Sequence, residues 1–403
     1  MPGTKPIGPG VLYVKAESTA FTFEAFTATD AIRHMGVPAI GGHTRERIDL
    51  ELSRGDRGRF HEVLGRYNDV EFTVEIPMYG EGAAGTAVPA RKALLESGAG
   101  LSEVVSGGTS VTYESDVANP SATCSMYYVD REGILGQYLI GCIVTTVGVE
   151  LDKEAAPKFV LSGMAARKWE FFKTTLGGAL DANAGTTSMT MADDFAILTG
   201  DESTASVSGL EIYVKIDDEI IKITAYNRST NAATIEREQF GTSAAAHDNG
   251  DVVTPYAEAP TYQEGGVING PHDWTVSDGS AVNLTKLSYS LATGRAFDQL
   301  SSGSAASSAL HNEMLDGTGS LSFILDNTRN DYFYNLDTGT EIDLAVTVGA
   351  TAGSIFTINL DKVRLIDPVP KELERNTIAE VTCNFRTRDT ATALQGQLQI
   401  VET

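Results

Sequence analysis

Val70-Glu71-Phe72-Thr73-Val74-Glu75-Ile76 alternates apolar and polar residues without a break. That period of two predicts a strand with one face buried and one face toward water. The same signal recurs outward from it. Upstream, residues 44–52 read as a strand, separated from 70–78 by the charged, glycine-rich loop Ser53-Arg54-Gly55-Asp56-Arg57-Gly58-Arg59. Val11–Val14 and Phe21–Phe26 read as shorter strands. Downstream, Ala87–Ser97 carries helix formers behind Pro89 and stops at Gly98, which predicts one short helix. Strands follow at 109–114, 121–129, 135–147 and 158–164. The last third repeats the layout, with strands at 281–291, 320–325, 341–348, 355–360, 378–385 and 394–401, the prolines Pro368 and Pro370 reading as a linker. The chain is therefore expected to be mainly β.

The 403 residues hold 54 acidic and 30 basic side chains, a net charge of -24. That balance excludes a broad basic surface for gripping nucleic acid, but not a protein that DNA merely passes. No apolar run is long enough for a transmembrane helix, and Met1–Pro6 has no following apolar segment of a signal peptide. Cys124, Cys142 and Cys383 have no CxxC spacing and read as small buried hydrophobes in a reducing compartment. Residues 181–280 hold 17 acidic against 4 basic residues, a local net of -13. Within them Leu210–Ile216, the turn Asp217-Asp218, Glu219–Tyr226 and Ala232–Arg237 predict a compact antiparallel module over about 185–257. Polar segments at 180–188 and 258–273 read as its connectors. The domains expected are 1–180, a β domain; 181–273, the acidic inserted module with linkers; and 274–403, a second β domain. Leu139–Met164 and Phe356–Arg386 share an order of strand, acidic proline-containing linker and strand, the mark of an internal duplication.

No local motif carries chemistry. His34, His43, His61, His247, His272 and His311 show no HExxH-type spacing and read as surface or locally bonded. His247, in a small-residue loop ending Asp248-Asn249-Gly250, reads as part of a tight wrap and not as a base. Gly107-Gly108 and Gly177-Gly178 lack the Lys-Ser or Lys-Thr of a phosphate loop. Asp193-Asp194 and Asp217-Asp218-Glu219 lack the ligand spacing of a calcium loop and read as solvated turns. Met126-Tyr127-Tyr128 and Asp331-Tyr332-Phe333-Tyr334 read as core or interface anchors. Arg54, Arg57, Arg59 and Arg66 form the one basic feature, read either as a solvated loop or as a patch meeting a neighbour's acidic surface. No catalytic, cofactor or metal residue is expected, and no enzyme.

Val70–Ile76, then Gly80-Glu81-Gly82-Ala83-Ala84-Gly85-Thr86-Ala87-Val88-Pro89, then Leu94-Leu95-Glu96-Ser97-Gly98 resembles the tail tube (major tail) proteins of long-tailed bacteriophages. Val88 intervenes before Pro89, and Ser97 stands where that family often has cysteine. Thr112-Tyr113-Glu114 and Pro120–Val129 are similar to its next strands, and 209–253 is similar to a small β module of phage structural proteins. The resemblance implies two tube-like β-sandwich or partial-barrel domains, each with a short flanking helix. It implies rings that stack into a tube, with a trimer of the duplicated chain supplying six tube domains. It also implies a tape measure protein in the lumen, tail terminator and baseplate proteins at the ends, and DNA passing without specific binding. The protein would be a virion tail component assembled in the host cytoplasm. Asp, Glu, Asn and Thr on the polar face of the inner strands would line the lumen, the module would project outward, and loops 53–61, 79–86 and 295–313 would order on stacking. Three other readings stand beside it: a capsid decoration or tail completion protein, a carbohydrate-binding adhesin using Trp169 and Trp274, and a β-rich hydrolase.

Overall fold

A computed structural model describes the chain except for residues 1–9, 43–44, 51–60, 81–82, 116–120, 194–195, 200–205, 263–274, 277–283, 299–307, 312–313, 325–337, 350, 371–379 and 389–396. The first part supplies β1 (Val11–Ala16), β2 (Val70–Pro77), β3 (Ser102–Ser106), β4 (Ser110–Glu114), β5 (Cys124–Val129), β6 (Leu135–Asp152) and β7 (Lys158–Phe172). The middle supplies β8 (Ser206–Ile216), β9 (Glu219–Asn227), β10 (Ala232–Glu236) and β11 (Val252–Tyr256). The last part supplies β12 (Leu284–Ala292), β13 (Asp316–Ile324), β14 (Ile342–Val348), β15 (Phe356–Pro370), β16 (Glu380–Arg386) and β17 (Gln399–Glu402). The chain is mainly β, as its alternation predicts.

The main sheet is antiparallel throughout, in the order Ala39–Ile40, β2, β7, β6, β12, β13, β16 and the C-terminal half of β15. A second sheet covers it, in the order β3, β4, β17, the N-terminal half of β15, β14 and Thr275–Val276. β15 belongs to both and joins them. Its bend falls at Lys362, in the left-handed region at φ 50°. Asp343 holds that strained position by accepting bonds from the Lys362 N–H, at 3.1 Å, and from its Nζ, at 3.3 Å.

The alternation of β2 now has a destination. Phe72, Val74 and Ile76 enter one core with Phe159 and Leu161 of β7, Val147 and Val149 of β6, Tyr289 of β12 and Phe385 of β16. Val111 and Tyr113 of β4 and Ile358 of β15 close it from the covering sheet. Each such buried side chain stabilises the fold by about 1.5–3 kcal/mol. The predicted helix is present as α1 (Pro89–Lys92), continued by a π-helical turn over Ala93–Gly98 that buries Leu94 and Leu95 in this core. The second flanking helix implied by the resemblance has no described counterpart, and 325–337 lies outside the described residues.

Past register shifts near Leu139–Cys142 and Val144–Thr146, the other ends of β6 and β7 diverge from the main sheet. There β6 pairs with β5, β5 with β1, and β7 with Ala196–Thr199. The module packs on this branch. Tyr13, Tyr127, Tyr138 and Trp169 share a second core with Leu210, Ile212, Val214 and Ile223. This stretch of β6 is thus buried on both faces, which is why Leu139–Val144 reads as an unbroken apolar run.

Several expectations need correcting. The 1–180 and 274–403 parts share a sheet and a core: β6 pairs with β12 from Thr146↔Ala292 to Asp152↔Lys286, and β4 pairs with β17. The module sheet begins at Thr174–Thr175, paired with β11, ahead of residue 181. Segment 180–188 is no loose connector, because Leu180 is buried and bonds His247 backbone to backbone in both directions. Phe21–Phe26 is not a strand: Phe21 sits at φ 64°, and Phe23 and Phe26 pack as anchors on Trp169, Tyr127 and Tyr138. β6 and β7 run past 147 and 164, β15 runs through Pro368 and Pro370, and β3 was not foreseen.

Candidate functional surface

Strands that bury alternate residues present the others together on the opposite face. On the main sheet this face is continuous across chain segments far apart in sequence. One row runs Lys158, Glu150, Ser288, Ser320, Asn384. The next runs Glu75, Val160, Gly148, Ser290, Thr318, Arg386, Arg364. A third runs Thr73, Ser162, Thr146, Ala292, Asp316. Small hydroxyl-bearing residues recur in every row and bond one another: Thr73 to Ser162 at 3.0 Å and Ser322 to Thr382 at 2.8 Å.

The lysines on this face are committed to carboxylates. Lys158 lies 2.9 Å from Glu75 and 3.2 Å from Glu150, and Lys286 lies 3.4 Å from Asp152. The Glu75 hydrogen bond leads the effects that raise the Lys158 ammonium above its ordinary value. The exposed guanidinium groups Arg364 and Arg386 lie at one margin, whereas Glu71 and Glu75 lie at the other. At the first margin the C-terminal half of β15 pairs only with β16 among the described residues, and Ile366 is 47% exposed. At the second, β2 is covered by little more than Ala39–Ile40 and the backbone bonds from Met35 to Glu75 and Gly41 to Glu71. β3 is the outer strand of the covering sheet and exposes both Val104 and Val105.

Two buried arginines fasten the parts behind this face. Arg91 of α1 meets Glu402 of β17 at 2.6 Å and the Tyr79 carbonyl at 2.8 Å. Arg295 donates to the carbonyls of Ser97 and Gly98, where the helix ends, and of Ala122. Burial lowers the Arg295 guanidinium to about 10. A cation at a helix C-terminus compensates its unsatisfied carbonyls. Sequence reading missed both, since nothing local pairs residues so distant.

The module holds a separate polar cluster. Glu219 receives Arg237 on both oxygens, through Nε at 2.8 Å and through Nη2, and the Ala245 N–H at 3.1 Å. Burial works to raise the Glu219 carboxyl, but Arg237, Ala245 and His247 together hold it below its ordinary value. His247 Nε2 lies 2.9 Å from Glu219, and Nδ1 lies 3.3 Å from Asp217. His247 is buried in the tight wrap expected of its loop, but its partners Asp217 and Glu219 come from another turn, so it is neither a surface nor a locally bonded histidine. Asp217 is exposed, as a solvated turn predicts, and so is Asp193, but Glu219 of the same expected turn is buried, held there by Arg237; Asp194 lies outside the described residues.

The other sequence candidates separate clearly. Met126, Tyr127 and Tyr128 are core residues. Trp169 is 3% exposed and stacked on Phe171, so it offers no platform to a glycan. His34 bonds the carbonyls of Gly36 and Gly10. Arg54, Arg57, Arg59, Trp274, His43, His272 and Asp331–Tyr334 lie outside the described residues, as do the side chains of His61, Arg66 and His311. Most of loop 53–61 and of 295–313 lies there too.

No family model matches the chain, and no curated protein matches it. Among the described residues no helix is long and apolar enough to cross a membrane.

Proposed function

We propose that this chain is a non-enzymatic structural subunit that closes into rings and stacks them into a phage tail tube for genome delivery. One observation carries the reading: the main sheet runs through the same strand order twice. Ala39–Ile40, β2, β7, β6 is followed by β12, β13, β16, β15. In each set, the first two strands are linked through a segment holding a hairpin, Arg45–Leu50 with His61–Tyr67 and Arg295–Phe297 with Ala309–His311. The fourth strand of the first set pairs with the first strand of the second. Repeating that seam between chains joins β15 of one copy to the Ala39–Ile40 margin of the next. Open edges are liabilities unless paired, and head-to-tail contacts of this kind close into rings. Three chains would give six repeats.

The hydroxyl-rich face suits the inner wall. Its lysines are already paired with carboxylates and its exposed guanidinium groups, Arg364 and Arg386, are confined to one margin, so the wall between offers phosphates little to hold. The module packs on a different branch of β6 and β7, which supports placing it outside. Tape measure, terminator and baseplate proteins would be the partners, and the virion tail the location. Trp169 in the core counts against the adhesin reading.

Negative-stain microscopy over a concentration series tests this. Trimeric rings or hollow tubes are expected. Globular monomers at high concentration, with no tubes after prolonged incubation, would sink the reading.

A further inference from the structure

The His247 cluster gathers three metal-binding side chains around one buried ring. Glu219 is ionised, since Arg237 grips both of its oxygens. An ionised carboxylate only accepts, so the hydrogen between it and His247 Nε2 belongs to the ring. The second ring nitrogen, Nδ1, faces the carboxylates of Asp217 and Asp251, the three donor atoms lying within 4.8 Å of one another. His247 is 3% exposed, so water has little access to the ring.

We propose that Asp217, His247 and Asp251 bind a divalent transition-metal cation of the zinc type. An imidazole nitrogen with two carboxylate oxygens favours such an ion over calcium, which takes oxygen ligands. A tetrahedral ion with bonds of about 2.0 Å sets its ligand atoms about 3.3 Å apart, and His247 Nδ1 and Asp217 Oδ2 are separated by 3.3 Å. The supporting shell is in place. The Glu219 carboxylate, itself fixed by Arg237, receives the other ring nitrogen and sets the tautomer, the arrangement that orients metal-binding histidines. The Asp248 N–H bonds Asp251 at 2.7 Å and fixes that carboxylate. The ion would tie the loop after β10 to the β8–β9 turn, with no open route to substrate chemistry implied.

The full chain, stripped with chelator, is titrated with zinc chloride and separately with calcium chloride by calorimetry. One zinc ion per chain is expected, with affinity falling at least about tenfold in Asp217→Asn and in Asp251→Asn. Both side chains lie at the open side of the cluster, so unchanged circular dichroism would show that these variants fold. Nitrogen NMR of the His247 ring is expected to show a bare Nδ1 shifting on zinc addition. No zinc binding, zinc affinity unchanged in both variants, calcium bound as tightly as zinc, or an imidazolium ring indifferent to zinc would each overturn the proposal. None of these outcomes depends on whether rings or tubes form.

Discussion

Tyr13, Tyr127 and Tyr138 show how a residue's surroundings set its chemistry. They lie between the β1–β5–β6 branch and the module, and burial pushes each phenol well above its ordinary value. Tyr138 donates to the Glu24 carbonyl at 2.7 Å, and Tyr13 donates to that of Glu258. In the unfolded chain these phenols lose their protons near pH 10. Above that pH the folded state holds more protons than the unfolded one, so stability from them is complete below pH 10 and declines as pH rises past it. A tyrosinate absorbance titration is expected to show these three, of the 14 tyrosines, ionising only as the far-ultraviolet signal collapses. Ionisation of all 14 with that signal intact is the contrary result. Burial of Tyr127 was legible from Met126-Tyr127-Tyr128. The environments of Arg295 and His247 were not, because their partners Ser97 and Glu219 sit in other elements and carry no local signal.

At the scale of elements, strict alternation made β2 and β14 readable almost to the residue. Where the reading failed, a physical reason is visible. Pro368 and Pro370 read as a linker because proline cannot donate in a sheet interior. Residues two apart in a strand direct their backbone groups to the same side, and here that side faces away from β16, whose pairing includes Val369↔Thr382. The prolines therefore mark an edge strand. β3 escaped notice because Val104 and Val105 are adjacent and break the alternation. The two margins of the main sheet lead to a prediction. Arg364→Glu with Arg386→Glu should block ring formation while leaving the monomer folded, because both side chains are exposed. Opposite charge across an interface governs register and rejects wrong partners. Adding Glu71→Arg should restore rings, scored by sedimentation and microscopy. Rings that survive the double reversal would show that this pair of margins does not meet.

For the whole molecule, strands were legible but their neighbours were not. Thr73, Ser162, Thr146 and Thr318 are each plainly polar positions, yet no sequence pattern says that they share one surface. That the two β parts are one body changes what truncation does. Chains 1–273 and 274–403 made separately should each be insoluble or lack protected core amides by hydrogen exchange, since each exposes half of a shared core. Independent cooperative unfolding of both pieces would contradict the shared architecture. The pairing of β4 with β17 adds a demand on synthesis. Gln399 bonds Glu114, its neighbour in the sheet, across 285 positions of chain. At ribosomal speeds of about 5–20 residues per second, β4 emerges roughly 15–60 s before its partner. Through that interval the backbone groups on the edge of β4 that β17 will pair have no partner there. The nascent chain would depend on chaperones to shield them, and its yield in the host should fall when elongation is slowed.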